Sequence, residues 1–326
     1  MNRLRKAAGR CTGPLLLVLL AGLLTACVNA PQTTALLRER PAQLAPQVRL
    51  ADVPFFAQDA YQCGPAALAM TLQHSGIGIA PEALVSAVYV PARKGSFQVE
   101  MLAATRAQGR LALTVTPTMA SLLGWLDAGE PVLVLQNLGT DWYPVWHYAV
   151  VIGYDLDARK MILHTGVTEN YHVSMATFEL TWARSSYWGL VTLKPGELPY
   201  RDDPDRYFHA AADLEESQPA TAMQAVWTAG VSTWPQRPDL ALGLANLYYR
   251  RGDSEAALAA YRGIVERFPD YLPGYNNLAS LQVELGDTEG AIATASAGLA
   301  VAGGSNPYLE QTLAEARASR AGRESP

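Results

Sequence analysis

The last third of the chain repeats itself every 34 residues, and this period restricts the possible fold more than any other feature of the sequence. Gly252 and Gly286 are separated by that interval, each is followed by an aspartate, and Ala257 recurs as Ala291. A repeat of this length holds one pair of helices, which buries its apolar face only by stacking on neighbouring pairs. The period therefore predicts an all-α solenoid in this part of the chain.

Small residues stand where the paired helices would touch, and Pro235 and Pro269 follow the second helix of two units. This pattern resembles the tetratricopeptide repeat. On that resemblance we divide the region into three units and a capping helix, at residues 204–237, 238–271, 272–305 and 306–322. An unrelated helical bundle is the alternative interpretation. The resemblance implies that the concave face of the repeats recruits a protein partner.

The preceding part of the chain, residues 48–195, has a different pattern. Apolar runs of strand length, rich in branched and aromatic residues, occur at 111–115, 131–136, 147–154, 161–164 and 187–193. Stretches with helical start and stop residues occur at 64–76, 81–89, 97–109 and 118–129. Because the helices come first and most strands later, we expect an α+β domain rather than alternating βαβ units. A proline-containing stretch, residues 193–205, is the expected boundary with the repeats.

The amino terminus has the layout of an export signal. A basic segment precedes an apolar stretch at 14–24, which is too short to span a bilayer. The stretch runs into LTAC (24–27), which resembles the lipobox of bacterial lipoproteins. The resemblance implies that residues 1–26 are removed, that Cys27 is acylated, and that residues 27–47 tether the folded part to a membrane. A plain secretory signal and a short membrane anchor are the alternatives.

The resemblance to lipoproteins also predicts where the protein resides. Val28 and Asn29 are not the acidic residues that retain such proteins in the inner membrane, so we expect the outer membrane of the bacterial envelope, facing the periplasm. The formal net charge is −5, and loss of the basic signal segment makes the mature chain more acidic, which argues against nucleic acid as a partner. Cys63 is then the one cysteine in the body of the chain, which excludes a disulfide framework and a cysteine-rich zinc site.

Cys63 directly precedes Gly64-Pro65 and an apolar helical run, so its sulfur is expected at a helix N-terminus. The unsatisfied N–H groups and the dipole at that end favour the thiolate. Gln58, five residues upstream, offers a side-chain donor to an oxyanion, together with the backbone N–H of Cys63. His147 opens an apolar strand and is the histidine that we assign as the base. A buried, inert Cys63 and a satisfied core His147 are the alternatives.

The other histidines are less suited to serve Cys63. His74 lies at the far end of the same helix, roughly 16 Å away at 1.5 Å per residue. His172 is expected in a loop and His209 in the repeat region.

Together the two blocks resemble a known peptidase family. Gln58, then Cys63-Gly-Pro-Ala on a helix, then HYAVVIGYD from His147, is similar to the double-glycine leader peptidases, which are papain-like cysteine peptidases. The resemblance implies an α+β papain-like fold with Cys63 as nucleophile, His147 as general base and acid, and Gln58 as oxyanion-hole donor. It also implies cleavage after glycine or another small residue. The family usually forms the front domain of an exporter, and here we expect no exporter domain.

The third catalytic group is less clearly marked. Asp155 lies eight residues along the strand from His147, roughly 26 Å at 3.3 Å per residue, and is expected in a surface turn. The chain should reverse there and return, which brings the end of the returning strand to His147. The family normally has aspartate at that position, and here it is His164, followed by Thr165. We expect a neutral His164 to orient the base, with Thr165 or a backbone carbonyl as the alternative.

We therefore predict a lipid-anchored cysteine peptidase that acts on a peptide or protein substrate and needs no cofactor. A non-catalytic adaptor with a degenerate peptidase fold and a thioester-forming acyl transferase are the competing functions. A zinc site of Cys63, His147 and His164 is chemically conceivable, but no fourth ligand or motif spacing supports it. The aromatic residues Trp142 and Tyr143, with Trp146, are expected either to wall the cleft or to cap the core.

Overall fold

The computed structural model of the chain describes residues 30–58 and 62–324. The predicted signal peptide and Cys27 lie outside these residues. In the part that is described, no helix is long and apolar enough to cross a membrane. The elements of the first half, in chain order, are α1 (Pro31–Glu39), β1 (Gln47–Arg49), α2 (Cys63–His74), α3 (Pro81–Val88), α4 (Gln98–Ala107), β2 (Leu111–Thr114), α5 (Met119–Asp127), β3 (Val132–Asn137), β4 (Trp146–Asp155), β5 (Lys160–Thr165), β6 (Thr168–Ser174), α6 (Met175–Ala183) and β7 (Gly189–Leu193).

The second half is helical. Its elements are α7 (Pro204–Glu215), α8 (Gln224–Thr233), α9 (Pro238–Arg250), α10 (Ser254–Arg267), α11 (Leu272–Glu284), α12 (Thr288–Val301) and α13 (Pro307–Glu324). Short 3₁₀ turns occur at Pro91–Arg93 and Ala220–Ala222.

The chain divides into two compact units that are discontinuous in sequence. The first unit comprises Met1–Cys63 and Val115–Gly189, and the second comprises Gly64–Thr114 and Leu190–Pro326. This division does not fall at the predicted boundary in residues 193–205. Within the second unit α7 is bonded to β2: the Arg206 guanidinium donates to the backbone carbonyl of Thr114 at 2.6 Å.

An antiparallel sheet forms the centre of the first unit. Its strands lie in the order β3-β4-β5-β6, and β1 pairs with the end of β4. The run VLVLQN of β3 is buried along its whole length, as expected for a continuous apolar strand covered on both faces. Helices α5 and α6 begin with hydroxyl caps, at Thr118 and Ser174, whose oxygens accept backbone N–H groups three residues on.

Two elements between β5 and β7 were not predicted. Residues 168–174 form the edge strand β6, so His172 lies in a strand rather than in the predicted loop. The sequence TENYHVS is largely exposed and polar, and it therefore lacks the apolar pattern that marks a strand. Helix α6 follows directly after it.

The predicted tether at residues 27–47 is wrong for its described part. Helix α1 and strand β1 occupy that region, and Leu36 of α1 is buried. The backbone N–H groups of Gln32 and Thr33 donate to the buried Glu179 carboxylate at 3.0 and 2.6 Å. A carboxylate at a helix N-terminus satisfies donors that have no partner within the helix. This contact fastens α1 to α6.

The second unit contains the antiparallel pair of β2 with residues 190–193 of β7, the helices α2 to α4, and the helical repeats. Each predicted 34-residue unit holds two helices, and α13 follows them. Gly252 and Gly286 adopt left-handed φ angles of 74° and 81° at helix ends. Asp253 and Asp287, which follow them, cap the next helix by accepting a backbone N–H. The recurring Gly-Asp pair thus ends one helix and begins another.

Candidate active site

His147 is the second residue of β4 and lies opposite Gln136 of β3. Its imidazole is half-buried, and its Nε2 lies 2.8 Å from the hydroxyl oxygen of Thr165 at the end of β5. Burial disfavours the charged ring and lowers the pKa of His147 below the ordinary value of a histidine. The neutral imidazole, which is the form able to accept a proton, is therefore favoured at neutral pH.

The expectation that His164 orients His147 is corrected by the structure. Val150 lies opposite His164, and neighbouring side chains of a strand point to opposite faces of the sheet. His164 is therefore on the face away from His147, whereas Thr165 is on the same face. The His164 ring lies 3.2 Å from the Val53 carbonyl through Nε2 and accepts the Asn170 N–H through Nδ1.

Thr165 is the ring partner that the sequence left only as an alternative. The period of two along the returning strand places the two candidates on opposite faces, and only the register with β4 decides which of them faces His147. His164 is instead a buried histidine whose pKa is lowered chiefly by burial. Its ring packs at a tilt against the ring of Phe55, with the two centroids 5.3 Å apart.

Gln58 lies beside the same part of β4. Its Nε2 donates to the carbonyl oxygen of Tyr148 at 3.4 Å, and its Oε1 accepts the N–H of Gly166 at 3.2 Å. The backbone N–H of Gln58 donates to the Gly166 carbonyl at 3.0 Å. The structure thus brings the Gln58 amide, the start of β4 with His147, and the end of β5 with Thr165 into one cluster.

Cys63 is the first residue of α2 and is partly exposed. The helix begins at Cys63, which agrees with the expectation that its sulfur lies at a helix N-terminus. Cys63 stands five positions after Gln58, so the two Cα atoms lie within about 18 Å of each other. Gly64, the next residue, packs against Ser96: an added Cβ would lie 2.7 Å from the Ser96 Cβ.

The other residues considered in the sequence analysis, Asp155 and three further histidines, lie at other places in the fold. Asp155 ends β4 and accepts the Ala158 N–H at 2.7 Å, which makes it a turn residue. His172 is exposed on β6, His74 ends α2, and His209 lies on α7.

The aromatic residues before His147 do not cap the core. Trp142 and Tyr143 have 93% and 85% of their surface exposed, and Trp146 is also exposed. The core-capping interpretation is therefore wrong, because a capping side chain would be largely buried.

The described residues offer no support for a metal centre. Within residues 30–58 and 62–324, no group of three or more His, Cys, Asp or Glu side chains is placed to hold an ion. The zinc alternative built on Cys63, His147 and His164 also fails on geometry, because His164 points away from His147.

Comparisons with known proteins identify two regions of similarity. The family described as "Peptidase_C39 like family" matches residues 50–189, and "Tetratricopeptide repeat" matches residues 211–272 and 242–307. No curated protein matches the chain.

Solved structures with similarity to the chain include two from different organisms. A candidate C39-like peptidase from Bacillus anthracis shares 20% identity at a TM-score of 0.38, and the match covers 45% of this chain and 98% of that one. The Sgt2 TPR domain from Aspergillus fumigatus shares 17% identity at a TM-score of 0.35, covering 39% of this chain and 85% of that one. The family matches and the helices and strands confirm the predicted fold class of an α+β peptidase-like domain followed by helical repeats.

Proposed function

We propose that this chain, a C39-like peptidase fold followed by tetratricopeptide repeats, is a lipid-anchored cysteine peptidase. The observation that carries the proposal is the contact between His147 Nε2 and Thr165 Oγ1 at 2.8 Å, beside the Gln58 amide. In peptidases of this type the third group orients the imidazole rather than taking its proton. Thr165 takes that role here, in place of the predicted His164.

Cys63 is the nucleophile in this proposal. His147 accepts the thiol proton at Nδ1, and the thiolate attacks the carbonyl carbon of the scissile peptide bond. The oxyanion accepts the Cys63 backbone N–H and the Gln58 Nε2 hydrogen that does not serve the Tyr148 carbonyl. The imidazolium then gives its proton to the leaving amine, which leaves an acyl-thioester on Cys63. Water, deprotonated by neutral His147, hydrolyses that thioester.

Two properties of His147 support its role as the base. Its lowered pKa keeps the ring neutral at the pH of a bacterial envelope, so that it can accept the thiol proton. When the ring becomes charged, Nε2 carries a hydrogen that Thr165 Oγ1 accepts, and a hydrogen bond to a charged donor is stronger than a neutral one.

The rest of the proposal concerns substrate and location. The resemblance to double-glycine peptidases favours cleavage after glycine or another small residue. The repeats recruit a protein partner or the substrate itself through their concave face. Acylation of Cys27 anchors the mature chain to the envelope, with the outer membrane facing the periplasm as the proposed site.

Labelling of Cys63 with iodoacetamide tests the catalytic proposal. We expect stoichiometric alkylation of the mature chain at neutral pH, which Cys63→Ala abolishes and His147→Ala slows by at least tenfold. His172→Ala, which removes an exposed histidine of β6, is the matched control and should leave the rate unchanged. Equal rates in all the histidine variants would show that His147 does not activate Cys63. Mass spectrometry of the products from a peptide library separates hydrolysis from acyl transfer to an amine.

A non-catalytic adaptor is the second candidate, and the identity of Thr165 favours it. An uncharged hydroxyl stabilises a charged imidazole less than the aspartate that the family normally carries. If the adaptor interpretation is right, Cys63 alkylation will be slow and independent of His147, while the repeats still capture a partner.

A further inference from the structure

We propose that a hairpin of exposed aromatic residues beside His147 lies in the headgroup region of the membrane that carries the lipid anchor. We call residues 138–146, the connection from β3 to β4 together with the first residue of β4, the aromatic hairpin. The inference rests on the proposed acylation of Cys27. This placement puts the peptidase site next to a bilayer surface. It therefore indicates which class of substrate the site can reach.

The first observation is the exposure of the hairpin. Trp142 is 93% exposed and Tyr143 85% exposed, and Leu138, Val145 and Trp146 are more than half exposed. Large apolar patches of this kind mark interaction sites. Tryptophan and tyrosine are the side chains enriched at membrane–water interfaces, since each has an apolar body and a polar edge. The hairpin contains a single charged residue, Asp141.

The second observation is that the hairpin is held in a defined conformation. The Asn137 side chain, 2% exposed, accepts the N–H groups of Gly139 and Val145 at 3.0 and 2.9 Å. Its amide donates to the Thr140 carbonyl at 3.3 Å. Gly139 leaves no room for a side chain, because an added Cβ would lie 2.1 Å from the Tyr143 carbonyl oxygen. The exposed rings are thus presented by an ordered loop and are not the result of local unfolding.

The third observation concerns the start of the described chain. Ala30 is buried, and the N–H groups of Gln32 and Thr33 donate to the Glu179 carboxylate. The chain is therefore fixed to the fold from Ala30 onward. Ala30 stands three positions after Cys27, and three steps along the chain span at most about 10 Å. An acyl chain on Cys27 thus holds Ala30 within about 10 Å of the lipid headgroups, which leaves no long tether.

The fourth observation links this attachment point to the hairpin. Glu179 lies in the middle of α6 and Arg184 directly follows its last residue, five positions later and a rise of roughly 7.5 Å. The Arg184 guanidinium donates to the carbonyl oxygens of Asn137 and Gly139 at 3.0 and 2.6 Å. One short stretch of helix therefore joins the anchored N-terminus to the base of the hairpin. A membrane that holds Ala30 is within reach of the aromatic side chains.

The position of His147, directly after Trp146, sets the substrate class. A hairpin seated in the headgroups places the proposed base within one residue of the interface. The peptide bond to be cleaved would then lie close to the bilayer, as in a membrane-bound polypeptide just outside its membrane segment. The alternative is that the aromatic hairpin binds a soluble peptide instead of lipid headgroups.

Tryptophan quenching by lipids with brominated acyl chains tests the placement. The full mature chain is purified from membranes, the acyl group on Cys27 is verified by mass spectrometry, and the protein is reconstituted into phosphatidylethanolamine–phosphatidylglycerol vesicles. We expect quenching of the wild type and loss of at least half of it in Trp142→Phe. Trp234→Phe, which alters a partly exposed tryptophan of the repeats, is the matched control and should keep the quenching.

The outcomes separate this inference from the proposals on which it depends. Quenching that is absent, or equal in Trp142→Phe and the wild type, overturns the membrane placement while the acyl group stands. A raised KM for a soluble peptide in Trp142→Phe, without quenching, identifies the hairpin as a peptide-binding element and also overturns it. If mass spectrometry finds no acyl group on Cys27, both the lipid anchor and this inference are wrong. Cys63 alkylation, measured on the same samples, reports on the peptidase proposal independently.

Discussion

Replacement of Thr165 by valine is the most direct test of how the base is oriented. The two side chains have nearly the same shape, so Thr165→Val removes the hydroxyl at 2.8 Å from His147 Nε2 and little else. In the transition state the ring is charged and donates this hydrogen bond. A hydrogen bond to a charged group is worth about 1.5–3 kcal/mol, and each 1.4 kcal/mol is a factor of ten. We therefore expect kcat/KM to fall about 10- to 150-fold.

The assay is turnover of a fluorogenic peptide with glycine before the leaving group, followed across pH 5 to 9. The loss should appear in kcat rather than in KM, because the interaction strengthens as the ring becomes charged. Thr165→Ser keeps the hydroxyl and should retain most activity. Thr168→Val, which changes the exposed threonine paired opposite Thr165, is the control for the loss of a threonine hydroxyl from this turn. A Thr165→Val enzyme as fast as the wild type would refute the orienting role.

Three further predictions concern stability. Glu179→Gln should lower the free energy of unfolding by about 2 kcal/mol in urea denaturation, because the buried carboxylate accepts two backbone N–H groups of α1. The pKa of His147 is lowered in the folded state, so the unfolded chain binds more protons at mildly acidic pH, and the unfolding free energy should fall as the pH drops below about 6.5. This loss should be smaller in His147→Gln. Gly243→Ala should cost about 1–3 kcal/mol in thermal unfolding, because its Cβ would lie 2.5 Å from a ring carbon of Trp227.

Each of these has a control in the same chain. Glu169→Gln alters an exposed carboxylate of β6 and should leave the stability unchanged. Gly263→Ala adds a methyl group within α10 where no atom lies within 4 Å, so it should be neutral or slightly stabilising. His172→Gln, which replaces an exposed histidine of β6, is the control for the loss of a histidine side chain. If a variant and its control lose the same free energy of unfolding, the corresponding contact does not account for the loss.

Sequence patterns located most of the regular structure because their signals are local. The apolar runs at 131–136 and 147–154 correspond to β3 and β4, since a continuous apolar segment of that length favours a buried strand. The edge strand β6 was missed for the complementary reason: its side chains are mostly solvent-exposed and carry no apolar period. The predicted tether was wrong because the burial of Leu36 depends on contacts far along the chain.

The sequence by itself determined most of the elements and the candidate residues, and the tertiary structure decided which of those residues meet. The repeated Gly-Asp pair fixed the helical ends of the repeats, because a left-handed glycine and a capping aspartate act within a few residues. That Thr165 rather than His164 contacts His147 depends on the register between β4 and β5, in which one step reverses the face of every side chain. Register and long-range contacts such as that of Glu179 with α1 are set by the packing of distant segments, and no local pattern encodes them.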